Sequence, residues 1–173
     1  MRNNRGRPRL YENDAARQRA HYWRKKKAEQ LAARKRRDEY ATPDDLFKAL
    51  NAEFNFDLDA CASVENFKCN RFYTLEARED GLTLPWSPGP VWVNPPYSQI
   101  GKWVKKASDE AQNGVTSVML IPNSTGARYW HKHIQNKSNV EVRFLAGRVK
   151  FIGNTARGPA PFDSAIVIFR GRP

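Results

Sequence analysis

The most informative stretch of this sequence is Val91-Trp92-Val93-Asn94-Pro95-Pro96-Tyr97-Ser98. Its first three residues are β-branched or aromatic and predict a buried strand. The two prolines must end that strand, because each removes a backbone N–H and fixes φ. The tip then presents the Asn94 carboxamide, carbonyls that no local N–H can reach, and the Tyr97 ring. These groups suit a planar ligand with an amino group, whereas a plain proline-rich turn requires neither Asn nor Tyr.

Helix and strand patterns alternate on both sides of this stretch. They predict helices at 44–52, 100–113 and 125–135, and strands at 56–61, 71–74, 91–94, 115–122, 140–146 and 164–170. Strands that alternate with helices indicate an α/β fold with a parallel sheet. The last two strands have no helix between them, and their connection, residues 147–163, is longer than a hairpin needs, so it is a candidate site loop.

Two of the predicted strands end in residues suited to binding. Asp59-Ala60-Cys61-Ala62 lies at the end of the first strand, and Asn94 to Tyr97 lies at the end of the third. In an open α/β sheet, ligands bind beyond the carboxyl ends of the strands. We therefore expect both segments at one edge of the sheet, as in an enzyme.

The charge of the chain is concentrated at its N-terminus. Residues 1–40 contain 14 Lys/Arg and 5 Asp/Glu, a net +9, whereas residues 41–173 contain 16 and 13, a net +3. This predicts a basic arm before a nearly neutral domain, and a polyanionic partner. A membrane surface would require a large apolar face, and residues 15–37 offer only Trp23, Leu31 and some alanines. Double-stranded DNA is therefore the expected partner, and no membrane.

The arm contains two candidate DNA-binding segments. Arg5-Gly6-Arg7-Pro8-Arg9 resembles the AT-hook, whose arginines enter the narrow minor groove; a simple electrostatic tether is the alternative. Residues 14–37 lack Gly and Pro and predict a helix, although their clustered charges also fit a partly disordered linker. The basic run expected to contact phosphates is Arg24, Lys25, Lys26 and Lys27.

Composition argues against several other classes of protein. No apolar run reaches the roughly 18 residues that span a bilayer, and the basic N-terminus lacks a signal-peptide core. Cys61 and Cys69 are too few for a disulfide scaffold, and with three scattered histidines they form no zinc spacing. We expect no metal and a reducing, cytoplasmic setting.

The ordered set of motifs resembles the amino-methylating DNA methyltransferases, and most closely the small phage and prophage-encoded adenine-N6 enzymes. The motifs lie at 42–43, 57–62, 66–69, 80–82, 94–97, 147–151 and 160–164. The resemblance covers about residues 41–170 and implies a Rossmann-like methyltransferase fold, mostly parallel with an antiparallel C-terminal strand. It also implies S-adenosylmethionine as cofactor and the bacterial host cytoplasm as location.

The resemblance assigns the cofactor contacts. It implies that the methionine part is held by Thr42, Pro43, Asp59, Ala60 and Cys61. It also implies that Asp80 accepts a hydrogen bond from the amino group of the cofactor's adenine, and that Glu76 binds the ribose. For Asp59 and Asp80, helix capping is the structural alternative.

Methylation of an exocyclic amine explains the residues after the third strand. Such an amine is a poor nucleophile, because its lone pair is delocalised into the ring. Asn94 Oδ1 and the Pro95 carbonyl can accept from its two N–H bonds and turn the lone pair toward the methyl group. Tyr97 can stack on the base, which must be flipped out of the duplex. Phe151 is a candidate for the opposite stacking face or a core residue, and phosphate contacts are expected from Arg148, Lys150 and Arg157.

Three alternatives remain open from the sequence. A cytosine-N4 methyltransferase poses the same chemical problem, although its motif usually begins with Ser rather than Asn. Methylation of RNA or of protein glutamine would also suit the pocket, but the arm favours DNA. A non-catalytic DNA-binding protein with a vestigial domain is the third, and the intact Asn94–Tyr97 motif argues against it.

Overall fold

The computed structural model describes residues 14–38, 40–153 and 159–172, in two units, Met1–Arg36 and Arg37–Pro173. The helices are α1 (Asp14–Asp38), α2 (Asp44–Phe54), α3 (Ile100–Gln112) and α4 (Arg128–His133), and short 3₁₀ turns cover Leu75–Ala77 and Tyr97–Gln99. The strands are β1 (Leu58–Asp59), β2 (Arg71–Phe72), β3 (Val91–Val93), β4 (Ser117–Pro122), β5 (Val140–Phe144) and β6 (Ser164–Phe169).

The strands form one six-stranded sheet in the order β2-β1-β3-β4-β6-β5. β1 pairs in parallel with β2 and β3, and β3 pairs in parallel with β4. β6 runs antiparallel to both of its neighbours, β4 and β5. The predicted α/β architecture, mostly parallel with an antiparallel C-terminal strand, is confirmed.

Most of the predicted elements are shorter than expected, and for two of them, β1 and α4, local hydrogen bonds explain the difference. β1 stops at Asp59, because the carboxylate of Asp59 accepts the N–H of Cys61 and turns the chain out of the ladder. α4 starts at Arg128 rather than 125, because the Ala127 N–H donates to the Ser124 carbonyl in a turn that precedes the helix.

Each face of the sheet carries its own apolar core. α3 covers one face, where Trp103, Val104 and Ala107 pack with Val91 and Val93. α2 and the residues at 149–151 and 160–162 cover the other face, with Phe47, Leu50, Trp92 and Val118 among the buried residues. The alternation of β3 side chains between the two cores fixes its register, because a shift by one residue would exchange the faces.

α1 has no continuous apolar face, and every residue from 21 to 30 is exposed. The predicted basic run, residues 24–27, lies within this helix. Arg5, Arg7 and Arg9 of the AT-hook-like segment lie outside the described residues, as does Arg157.

No helix in the described ranges is long and apolar enough to cross a membrane. Within the same ranges, no cluster of three or more His, Cys, Asp or Glu side chains is arranged to hold a metal ion. Cys61 and Cys69 are not joined in a disulfide. Burial, together with the nearby charges of Asp59 and Asp57, raises the pKa of the Cys69 thiol to about 12.

Candidate active site

The side chain of Asn94 leaves the end of β3 in a fixed orientation. Its Nδ2 donates to the main-chain carbonyl of Tyr40 at 2.6 Å. Because a carbonyl oxygen can only accept, this contact commits the amide nitrogen to Tyr40. Asn94 Oδ1 accepts no backbone N–H from the described residues.

The two proline carbonyls after Asn94 differ. The Pro96 carbonyl accepts the N–H of Gln99 at 2.9 Å, at the start of the turn that leads into α3. No backbone N–H among the described residues donates to the Pro95 carbonyl. Asn94 Oδ1 and the Pro95 carbonyl are therefore two acceptors on successive residues, and neither accepts a backbone N–H from the described residues.

Tyr97 belongs to a cluster of four aromatic rings. Its centroid lies 6.2 Å from Tyr40, 6.3 Å from Phe151 and 5.4 Å from Phe162, and none of these rings is parallel to it. The Tyr97 hydroxyl is buried without a partner among the described residues. Burial is the main cause that raises the pKa of this phenol, so Tyr97 stays neutral.

Phe151 packs in the core and does not offer an exposed face on which a base could stack. It is 5% exposed, and its ring stacks on Tyr40 with centroids 4.9 Å apart. The pairing of Ala41 with Ile152, through hydrogen bonds of 3.0 and 2.9 Å, brings the two rings together. Phe151 therefore supports Tyr40, whose carbonyl holds Asn94.

Asp59 shapes the turn that follows β1. Its side chain is buried, and its two oxygens accept the backbone N–H groups of Cys61 at 3.2 Å and Lys68 at 3.1 Å. Burial raises the pKa of Asp59 to about 6, and the two backbone hydrogen bonds and the charge of Lys68 oppose this shift. Asp59 thus folds the loop from 60 to 68 over the end of the strand.

The predicted cofactor segments lie together. The Ala60 N–H donates to the Trp92 carbonyl at 3.1 Å, which places the turn after β1 beside the Asn94 motif. Lys68 Nζ contacts Asp44 Oδ1 at 2.5 Å, and Asp44 directly follows the Thr42-Pro43 segment. Thr42 is buried, and Pro43 is the N-cap of α2.

Asp80 lies in a turn that contacts the same segment. Its Oδ1 accepts the Leu82 N–H at 2.9 Å, and its Oδ2 accepts no backbone N–H from the described residues. The next residue, Gly81, packs against Ala60, since a Cβ at Gly81 would lie 2.0 Å from the Ala60 carbonyl oxygen. Asp80 therefore lies near Ala60 with one carboxylate oxygen that no backbone donor occupies.

Glu76 is exposed in the turn after β2, four residues beyond Phe72. Its carboxylate accepts from the Thr74 hydroxyl, and the Thr74 Oγ1 accepts the Glu76 N–H at 3.0 Å. The hydrogen bond from Thr74 holds the pKa of Glu76 below its ordinary value. The Thr74 contact fixes the direction of the carboxylate that was predicted to bind ribose.

The predicted phosphate-binding residues that the structure describes are exposed. Arg148 lies 3.5 Å from Asp163 Oδ1, and Lys150 is also exposed, both close in sequence to Phe151. Arg24 and Lys25–Lys27 are exposed on α1.

Replacing Gly81 with alanine should disrupt this site, because the added Cβ would lie 2.0 Å from a backbone oxygen that cannot rotate away. We expect the unfolding free energy to fall by about 3 kcal/mol or more, at or beyond the upper end for overpacked cores. Denaturant melts would measure it. Gly126→Ala is the matched control, since no atom lies within 4 Å of its added Cβ. Equal stability of the two variants would contradict the close packing described here.

The order of this sheet, the small-residue turn after β1 and the Asn-Pro-Pro-Tyr motif after β3 are consistent with a methyltransferase fold. Residues 29–170 match the model of the family described as DNA N-6-adenine-methyltransferase (Dam). The chain belongs to this family.

Two curated relatives are both named DNA N-6-adenine-methyltransferase. The protein of Haemophilus phage HP1 is 32% identical over 120 residues, which cover 68% of each chain. The protein of Escherichia phage T1 is 33% identical over 106 residues, which cover 60% of this chain. That match spans only 44% of the T1 protein, less than half of its length.

Two contributors to the site were not predicted from the sequence. Tyr40 acts through a main-chain carbonyl 54 residues from Asn94, and a carbonyl leaves no trace in residue type. Gly81 had a visible signal, since it lies between Asp80 and Leu82 in a motif of the family, but nothing local shows what it packs against.

Proposed function

We propose that this chain transfers a methyl group from S-adenosylmethionine to the N6 amine of adenine in DNA. The observation that carries the proposal is the pair of acceptors at Asn94 Oδ1 and the Pro95 carbonyl, neither of which accepts a backbone N–H from the described residues. An exocyclic amine has two N–H bonds, and two neighbouring acceptors match it.

The proposed mechanism needs no nucleophilic side chain. Asn94 and Pro95 accept the two N–H bonds of the amine and favour a pyramidal nitrogen whose lone pair faces the methyl group. Tyr97 fixes the plane of the base by contact with its ring. Positioning supplies much of the rate enhancement, because holding the two reactants in line lowers the entropic part of the activation free energy.

The residues near β1 fit the proposed cofactor. Asp80 Oδ2 is an acceptor suited to an adenine amino group, and the small residues Ala60, Cys61 and Ala62 leave room beside the strand. The proposed methionine site comprises Thr42, Pro43, Asp59, Ala60 and Cys61, and Glu76 is proposed for the ribose. The bound cofactor supplies a methyl group already activated on a sulfonium.

The two cysteines offer a test of the cofactor site. We expect S-adenosylmethionine to slow alkylation of Cys61 severalfold, because the partly buried thiol lies in the proposed methionine site. Cys69 is the internal control, since it is buried and its raised pKa, about 12, leaves little thiolate to react. Mass spectrometry of the two peptides gives both rates. Equal labelling of Cys61 with and without the cofactor would place the cofactor elsewhere.

The proposed substrate is double-stranded DNA with the target adenine flipped out, because the acceptors cannot reach an amine inside a paired duplex. The phage origin of both relatives supports the cytoplasm of a bacterial host as the place of action. Incubation with methyl-labelled cofactor should label unmethylated bacterial DNA but not RNA or protein from the same cells. Label in RNA or protein alone would refute the proposal.

A further inference from the structure

The described part of the arm exposes aromatic rings as well as charge. Tyr22 and Trp23 on α1 are 54% and 61% exposed, and their ring centroids lie 5.3 Å apart in an edge contact. The Lys26 ammonium lies 5.5 Å from the centroid of each ring. A helix that attracts DNA through its charge alone does not need exposed aromatic rings, because exposing apolar area to water is unfavourable.

The helical period places cations on both sides of Trp23. Arg19 lies four residues before it, and Lys26 and Lys27 lie three and four residues after it, so all share one face of α1. At a rise of 1.5 Å per residue, Arg19 and Lys27 are about 12 Å apart along the axis. An aromatic ring is thus flanked by positive charge one turn to each side.

The charge and the residue pattern of α1 favour a nucleic acid as its partner. Residues 16–30 contain six Lys/Arg and one Glu, which favours a polyanion. Apolar residues do not gather on one side of α1, so this face lacks the stripe that a coiled coil or a membrane-surface helix requires. Basic grooves with aromatic platforms are typical of proteins that bind unpaired nucleic acid, since every base has a π-face.

We propose that α1 is a single-strand-binding element, in which Trp23 stacks on an unpaired base while Arg19, Lys26 and Lys27 contact the flanking phosphates. This inference rests on the proposed DNA substrate, and it adds a role that attraction to a duplex does not require. In an intact duplex the base faces are covered by their neighbours, so stacking favours DNA that is already opened.

Fluorescence of the full-length protein reports on Trp23 directly. Trp86, Trp92, Trp103 and Trp130 are each at most 5% exposed, so Trp23 is the one exposed tryptophan of the five. Acrylamide should quench a component that Trp23→Phe lacks. Saturating single-stranded oligonucleotide should protect that component and lower its emission. A component that stays equally accessible at saturation, or one already shielded in the free protein by self-association, would overturn the proposal.

Binding by variants separates stacking from charge. Trp23→Leu should weaken single-strand binding about fivefold to a hundredfold, with an unchanged slope of log K against log salt, and Trp23→Phe should retain most of the affinity. Lys26→Gln should instead make the slope shallower by about 0.7. If Trp23→Leu binds as tightly as the wild type, stacking is refuted. The proposed methyltransferase function has a separate test, because absence of methyl transfer by the wild type would refute it without affecting the result for Trp23.

Discussion

Asn94→Ala should abolish methylation of DNA while cofactor binding largely survives. The variant removes the Oδ1 acceptor, which would be used only by the target amine, and leaves the turn after β1 intact. Loss of one such polar group from an active site costs about a hundredfold to a thousandfold in turnover. The Tyr40 carbonyl would also be left without its donor, which adds to this cost. Single-turnover kinetics would measure the rate, and calorimetry would measure cofactor affinity.

Asn94→Asp serves as the graded control. It keeps an acceptor oxygen but cannot donate to the Tyr40 carbonyl, so we expect turnover between that of the wild type and that of Asn94→Ala. Near-normal turnover by Asn94→Ala, with cofactor affinity unchanged, would refute the mechanism in which Asn94 Oδ1 accepts a hydrogen bond from the target amine.

Deletion of residues 1–38 should greatly weaken DNA binding and flatten its salt dependence. The segment contains 14 Lys/Arg and 4 Asp/Glu. For each duplex phosphate that the protein no longer neutralises, the slope of log K against log salt becomes shallower by about 0.9. A protein that neutralises six phosphates loses about a thousandfold in affinity when the salt is raised from 50 to 200 mM, and the deletion should remove a loss of that size. Fluorescence anisotropy with a labelled duplex over this range would give both quantities.

Two control variants sharpen the deletion. Replacing Arg24 and Lys25–Lys27 with glutamine preserves chain length and should reduce the slope by up to about 3.6. Deletion to residue 41 also removes Tyr40 and should end turnover even at saturating DNA, whereas deletion to residue 38 should preserve it. A salt slope that does not change on deletion would show that the arm binds no phosphates.

Much of the fold followed from short-range patterns in the sequence. The β-branched and aromatic residues of β3 and β4 predicted two central strands, and the prolines after Asn94 predicted where β3 ends. The antiparallel C-terminal strand was implied by the resemblance to the methyltransferases rather than by a local pattern. The shortness of β1 was not predictable in this way, because it depends on where the Asp59 carboxylate finds its donors.

The site was predictable to the extent that side chains signal their chemistry. The segments at Asp59 and Asn94 do lie at one edge of the sheet. Phe151 was ambiguous, because an aromatic residue in a long loop suits a base or a core equally. The pairing of Ala41 with Ile152 decides for the core, and it links positions 111 residues apart. Contacts of that separation, like the carbonyl of Tyr40, leave no pattern in sequence.

The chemical identity of the product tests the proposed adenine methylation directly. Unmethylated bacterial DNA would be incubated with the protein and methyl-labelled S-adenosylmethionine, digested to nucleosides and separated by chromatography. We expect the label to elute as N6-methyldeoxyadenosine, and Asn94→Ala to yield at least about a hundredfold less of it in the same time. Label in N4-methyldeoxycytidine, or an active wild-type digest with no labelled adenine nucleoside, would contradict it.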